Sequence, residues 1–133
     1  MTALFHDVTD NPLGVRLELG AAQREKRDRF LVPVSIHIPF ANLLLFPKSD
    51  SHRALLSLVI AVQDGEGRLS RPQHVRVPIT IPNDRLLTAM TEEFTYQAQL
   101  EMRGGEQKLA VAVADDLAAT TSTVNLTVPM AGG

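Results

Sequence analysis

Apolar residues recur at every second position through much of this chain, and that period of two is what most restricts its fold. Val32, Val34, Ile36 and Ile38 form one series, Val75, Val77, Ile79 and Ile81 another, and Phe94, Tyr96, Ala98, Leu100 and Met102 a third. A β-strand sends successive side chains to opposite faces, so each series paints one side of a sheet. The pattern predicts an all-β chain whose sheets each bury one face. At 133 residues and 44% hydrophobic composition, one domain with a core that needs no covalent staples is expected.

Further segments extend the pattern. Val15, Leu17 and Leu19 predict a first strand over residues 14–19. Leu56, Leu58, Ile60 and Val62 stripe the longest apolar segment, whose other face carries Leu55, Val59 and Ala61. That two-sided character suits a strand central to a sheet. Leu109, Val111 and Val113 oppose three alanines at 110, 112 and 114, and Ser122, Val124, Leu126 and Val128 stripe the last strand. The run Leu43 to Phe46, closed by Pro47, fits a strand crossing between sheets or a single helical turn, and the surrounding pattern favours the strand. Asp64-Gly65 and Gly104-Gly105 mark turns. Pro33 lies on the face opposite Val32 and Val34, and proline cannot donate to a ladder, so it suggests an edge or a bulge. Pro82-Asn83-Asp84 opens one short helical turn near residues 84–90, with Asn83 or Asp84 as N-cap, placed as a strap between two sheets.

Seven to eight strands separated by close turn signals predict an immunoglobulin-like or fibronectin III-like antiparallel β-sandwich. A closed barrel is the other arrangement such strands adopt, and the proline-bearing second strand argues against it, since a barrel has no edges. The expected organisation is an irregular lead-in over 1–12, a single sandwich domain over 13–130 and a tail at 131–133. The expected core comprises Val32, Val34, Ile36, Leu56, Leu58, Ile60, Val75, Val77, Ile79, Tyr96, Leu100, Leu109, Val111, Val113, Val124 and Leu126.

Composition narrows the role. A net charge of −2 provides no general attraction to nucleic acid or anionic lipid. Cysteine is absent, which removes disulfides and thiolate metal sites. Tryptophan is absent and Tyr96 is the single tyrosine, few aromatics for a stacking platform. Residues 1–10 hold neither the basic start nor the apolar run of a secretion signal, and no stretch approaches the length of a membrane helix.

No combination of residues announces catalysis. The serines lie outside any Gly-x-Ser-x-Gly elbow, and the adjacent Asp115 and Asp116 point apart in an extended chain. His37 and His74 both leave the outward faces of strands, and would share a metal only if those strands were neighbours. Asp64, Glu66, Asp115 and Asp116 close two apolar strands, and would offer calcium four carboxylates if both ends met at one pole. The plainer reading is turn chemistry, in which Asp side chains satisfy local backbone donors. The charged block Gln23 to Arg29 reads as a solvated hairpin loop, or else as a docking patch for an acidic partner. Asn125-Leu126-Thr127 has the form of a glycosylation sequon set on a strand. No catalytic, cofactor-binding or metal residue is assigned.

Several segments, taken in order, resemble the C-terminal portion of bacterial, especially acidobacterial, von Willebrand factor A-related proteins. They are Asn11-Pro12-Leu13, Phe30 to Pro39, Leu58 to Gly67, Gly104 to Asp116 and Thr121 to Val124. The resemblance implies a non-enzymatic β-sandwich module of an extracellular or periplasmic protein, acting in protein–protein interaction or as a spacer. An adjacent A-type domain would be one partner. An A domain itself would carry Asp-x-Ser-x-Ser, and Asp50-Ser51-His52-Arg53-Ala54 lacks both serines. The alternative function is a small-ligand module that takes calcium or carbohydrate on its pole loops.

Overall fold

The computed structural model describes residues 5–130, which form two antiparallel sheets packed face to face. The strands are β1 (Phe5–Asp10), β2 (Arg16–Leu19), β3 (Gln23–Lys26), β4 (Arg29–Pro39), β5 (Phe46–Lys48), β6 (Ser51–Gln63), β7 (Gln73–Pro82), β8 (Glu93–Arg103), β9 (Gly105–Asp115) and β10 (Thr120–Met130). The larger sheet runs β1-β10-β9-β6-β7, with β5 continuing the line of β9 along β6. In the smaller sheet β4 is central. β8 lies along one side of β4, and β2 and β3 follow one another along the other. One sheet curls into a half-barrel. The 3-10 turn Asn83–Arg85 and the helical turn α1 (Leu86–Ala89) join β7 of the larger sheet to β8 of the smaller.

The stripes seen in the sequence become the two inner faces. Val32, Val34, Ile36 and Ile38 of β4 meet Leu56, Leu58 and Ile60 of β6 and Leu109, Val111 and Val113 of β9 in one buried cluster. Leu13, Val15 and Leu17 close it on one side. Of the expected core, Val75, Val77 and Tyr96 are only half-buried, because β7 and β8 are edge strands.

The described residues form ten strands where seven to eight were expected. The additional ones lack alternation and form by pairing with a neighbour's free edge. The lead-in expected to be irregular contains β1, which adds to β10 with a register shift between Val8 and Asp10. The charged block expected to be a loop contains β3, exposed throughout and paired with β4. The strand expected at Leu43 to Phe46 is displaced: Leu43 to Leu45 are not strand, and β5 shares only Phe46 with the expected run. Leu43 instead closes a 3-10 turn over Phe40–Asn42 and is buried in the core. The tail at 131–133 lies outside the described residues.

Pro33 is neither at an edge nor at a bulge. It sits mid-sheet, paired with Gln99 of β8. Its carbonyl accepts from Gly20 N–H at 2.8 Å, where the chain passes from β2 to β3. A strand residue directs N–H and C=O to the same side, so the missing N–H faces that gap and costs β8 nothing. The expected N-caps fail too. Pro82 occupies the position with no side-chain cap, and Asn83 Oδ1 accepts instead from His52 Nδ1 at 2.7 Å.

Candidate functional site

An exposed sheet edge is a row of unpaired N–H and C=O groups, and folds that do not use it blunt it with proline, bulges, charge or short strands. Among the described residues the edges at β7, at β2–β3 and at β1 are blunted. β7 holds Pro78 mid-strand, ends on Pro82 and is preceded by Pro72. The β2–β3 edge breaks at 20–22, and β3 presents Arg24, Glu25 and Lys26. β1 is short and carries the register shift.

β8 has no proline, no bulge and ample length, and its charges, Glu93, Glu101 and Arg103, lie only toward its two ends. It runs 11 residues without proline, glycine or bulge and, among the described residues, pairs on one side only, with β4 from Arg29↔Arg103 to Pro39↔Glu93. From Phe94 to Leu100 it carries no charge. Its inward residues Phe94, Tyr96 and Ala98 are half-buried, as are Val75 and Val77 of β7, the edge strand joined to it by α1. Phe40 meets Phe94 edge-on at 6.3 Å between ring centroids. The sandwich is thus incompletely closed along this side. A continuous strand template lies beside an apolar margin.

The outer face next to this edge holds a contact network that no reading of the sequence could place. Glu18, His37 and Thr95 come from β2, β4 and β8. His37 Nε2 donates to Glu18 Oε1 at 3.0 Å, and its Nδ1 lies 2.9 Å from Thr95 Oγ1. In the neutral ring Nδ1 accepts the threonine hydroxyl. This is the order hydroxyl, imidazole, carboxylate of a hydrolytic triad. Such chemistry also needs donors aimed at a developing oxyanion. The nearby cation, Arg16, is drawn 2.9 Å to Glu93, and the row lies on an open sheet face. The network reads as a polar ladder that binds the three strands.

The residues singled out from sequence are dispersed. His37 lies on the smaller sheet and His74 on the larger, so the pair shares no site. The four turn carboxylates divide between opposite poles. β9 is antiparallel to β6, so Asp115 lies opposite Leu56 while Asp64 follows Gln63, roughly 25 Å further along the strand. Asp115 is fully buried. Its Oδ2 accepts from Leu44 N–H at 2.7 Å, and its Oδ1 accepts from the N–H groups of Leu117 and Ala118, both at 3.2 Å. Asp116 accepts from Ser57 Oγ at 2.6 Å. Asp64 Oδ1 accepts from Glu66 N–H and Arg68 N–H, both at 2.9 Å. The Arg68 amide is the main cause that lowers its pKa, and the charges of Arg68 and Arg103 act in the same direction. Among the described residues no three His, Asp or Glu side chains converge on a common point.

Concavities flank the sheets. A cleft of about 310 Å³ lies between Arg68–Ser70 of the β6–β7 loop and Glu101 and Arg103 of β8. An apolar groove of about 430 Å³ on the larger sheet is bordered by Phe46, Arg53, Leu55, Pro78 and Leu117.

No family model and no curated protein matches the chain. The X-ray structure of Northeast Structural Genomics Consortium target SoR45 is similar to it, with a TM-score of 0.59 at 12% identity over 91% of this chain and 88% of that one. At that identity the likeness concerns the fold alone. The crystal structure of the putative ApaA protein from Bordetella pertussis, target BeR40, reaches 0.48 at 13% identity over 91% and 97% of the two chains, too low to equate the folds.

Proposed function

We propose that this chain is a non-enzymatic module, an immunoglobulin-like or fibronectin III-like variant of the β-sandwich, that works by protein–protein interaction through the free edge of β8. The observation that carries the reading is the contrast among edges: those at β7, at β2–β3 and at β1 are blunted, and β8 is long, unbroken and uncharged from Phe94 to Leu100. An incoming strand would gain affinity from main-chain hydrogen bonds and selectivity from side chains laid against Phe94, Tyr96 and Ala98. The sequence resemblance to von Willebrand factor A-related proteins extends the proposal to a setting, a bacterial envelope or secreted protein in which the module binds or spaces its neighbours. The open-faced position of the Glu18–His37–Thr95 row favours binding over catalysis.

Photo-crosslinking in the native host tests the reading. A photoreactive residue at Gln97, beside the edge, should yield discrete protein adducts, and one at Thr123, on the outer face of the larger sheet, should not. Ala98→Lys places a charge at the apolar margin and should abolish the adducts while thermal melting shows the fold intact, the long side chain reaching solvent. Equal adducts from both positions, or adducts that persist in a folded Ala98→Lys protein, would overturn the proposal.

A further inference from the structure

We infer that β8 pairs with β8 of a second copy of this chain, antiparallel, about a two-fold axis at Ala98. The inference rests on the β8 edge being the working surface and names its occupant. Two-fold pairing fixes which residues face each other. Centred on Ala98, the strand pairs along its whole length from Glu93 to Arg103. Glu93 then faces Arg103 of the other copy, and the symmetry makes this contact twice. Gln97 faces Gln99, and Thr95 faces Glu101. On the inner face Phe94 meets Met102, Tyr96 meets Leu100, and Ala98 meets itself, the small side chain at the axis where two identical residues must fit.

Neighbouring registers are worse. A centre at Gln97 sets Glu93 against Glu101 twice, and like charges directly opposite destabilise a sheet. A centre at Gln99 leaves Glu93 overhanging and sets Arg103 against a neutral threonine. Intermediate shifts place apolar residues opposite the polar face. Glu93 and Arg103 are both exposed, so each can reach a partner across the edge. Within one chain Glu93 contacts Arg16 through Oε1 at 2.9 Å, leaving Oε2 for a second cation. Such pairing extends the smaller sheet across the axis. It also covers the margin left half-exposed at Phe94, Tyr96 and Ala98, and it closes at two copies, since each has one unguarded edge among its described residues.

Analytical ultracentrifugation of the full chain over a concentration series tests the inference with a charge swap. The wild type should pass from monomer to dimer mass. Arg103→Glu and Glu93→Arg should each weaken the dimer about tenfold, because a favourable pair becomes a like-charge pair at two symmetric places. The double variant Glu93→Arg/Arg103→Glu should recover wild-type association. Melting curves of the monomers separate any loss of the Arg16 contact from loss of the dimer. A wild type that stays monomeric throughout, single variants that associate as well as wild type, or a double variant that fails to recover would each overturn the inference. Gln97 crosslinks help to locate the failure. Adducts of a mass other than the dimer, lost in Ala98→Lys, would leave the edge reading standing while the second copy falls. If Gln97 gives no adducts and the chain is monomeric, both fall.

Discussion

Asp64 and Asp115 end two strands that read almost alike, Ile60-Ala61-Val62-Gln63-Asp64 and Val111-Ala112-Val113-Ala114-Asp115, yet the two carboxylates do different work. Both continue the inward stripe of their strand. What separates them is what lies over each pole. At the Asp115 pole the segment between β4 and β5 crosses the sheet end and offers Leu44 N–H, and the β9–β10 turn supplies two more donors. The same pole is laced by other side chains. Ser122 Oγ, fully buried, accepts from Leu13 N–H at 2.8 Å, and Asn42 Nδ2 donates to Leu13 C=O at 3.0 Å. Asn11 spans Val15 from both sides at 2.8 and 2.9 Å. Gly14 fits there because its φ is +70° and a Cβ would come within 2.8 Å of Asn42 Nδ2. At the Asp64 pole the carboxylate binds amides of its own loop, and open clefts adjoin it. One aspartate ties loops of a closed pole together, whereas the other shapes a single turn.

The sharpest way to break this comparison is to remove the buried anchor. Asp115→Ala strands three N–H groups and leaves a void, so it should cost about 3–5 kcal/mol in chemical denaturation. Asp64→Ala, at the open pole, should cost far less. Comparable losses would mean that the covering segment is not what distinguishes the poles. Ser122→Ala comes next. It orphans the Leu13 amide but touches one loop only, and should cost about 1–3 kcal/mol by the same measurement. A neutral result would show that the Asn11–Val15 loop is held by Asn42 and its own Asn11 turn without β10.

How far these differences could be read beforehand depends on what alternation encodes. The stripes at Val32–Ile38, Leu56–Val62 and Leu109–Val113 report which side of a strand is apolar, and those residues do fill the core. They do not report neighbours. Val75, Val77 and Tyr96 alternate as cleanly as any, yet remain half-buried because β7 and β8 ended up at the sheet edges. β1 and β3 show no stripe, since a strand added to a free edge needs only backbone groups. The Glu18–His37–Thr95 row was hidden for a related reason. Its contacts span 19 and 58 residues of sequence and exist only once β2, β4 and β8 are in register. The β8 edge itself was half legible. Absence of proline, glycine and charge from Phe94 to Leu100 is visible in the residues, but that one side of this strand is unpaired is a property of the sheet order.

The smallest effect sharpens the comparison through pH. Asp64 has its pKa lowered from an ordinary 3.8, first by the Arg68 amide, then by the Glu66 amide and the charges of Arg68 and Arg103. A carboxylate whose folded pKa lies below its unfolded one binds fewer protons in the native state. Its stabilisation is therefore complete above the unfolded value and disappears as pH falls through the folded value. Asp64→Asn keeps the acceptor oxygen and removes the charge, so it isolates this contribution. Denaturation series for wild type and Asp64→Asn should run apart by a constant small margin from neutral pH down to about 4 and converge below it. A margin that stays constant into strong acid would mean that the hydrogen bonds, which asparagine preserves in part, and not the charge, account for the difference. Divergence in acid would reverse the sign of the shift, and the Asp64 turn would then not be the charge-stabilised structure that its contacts with Arg68 describe.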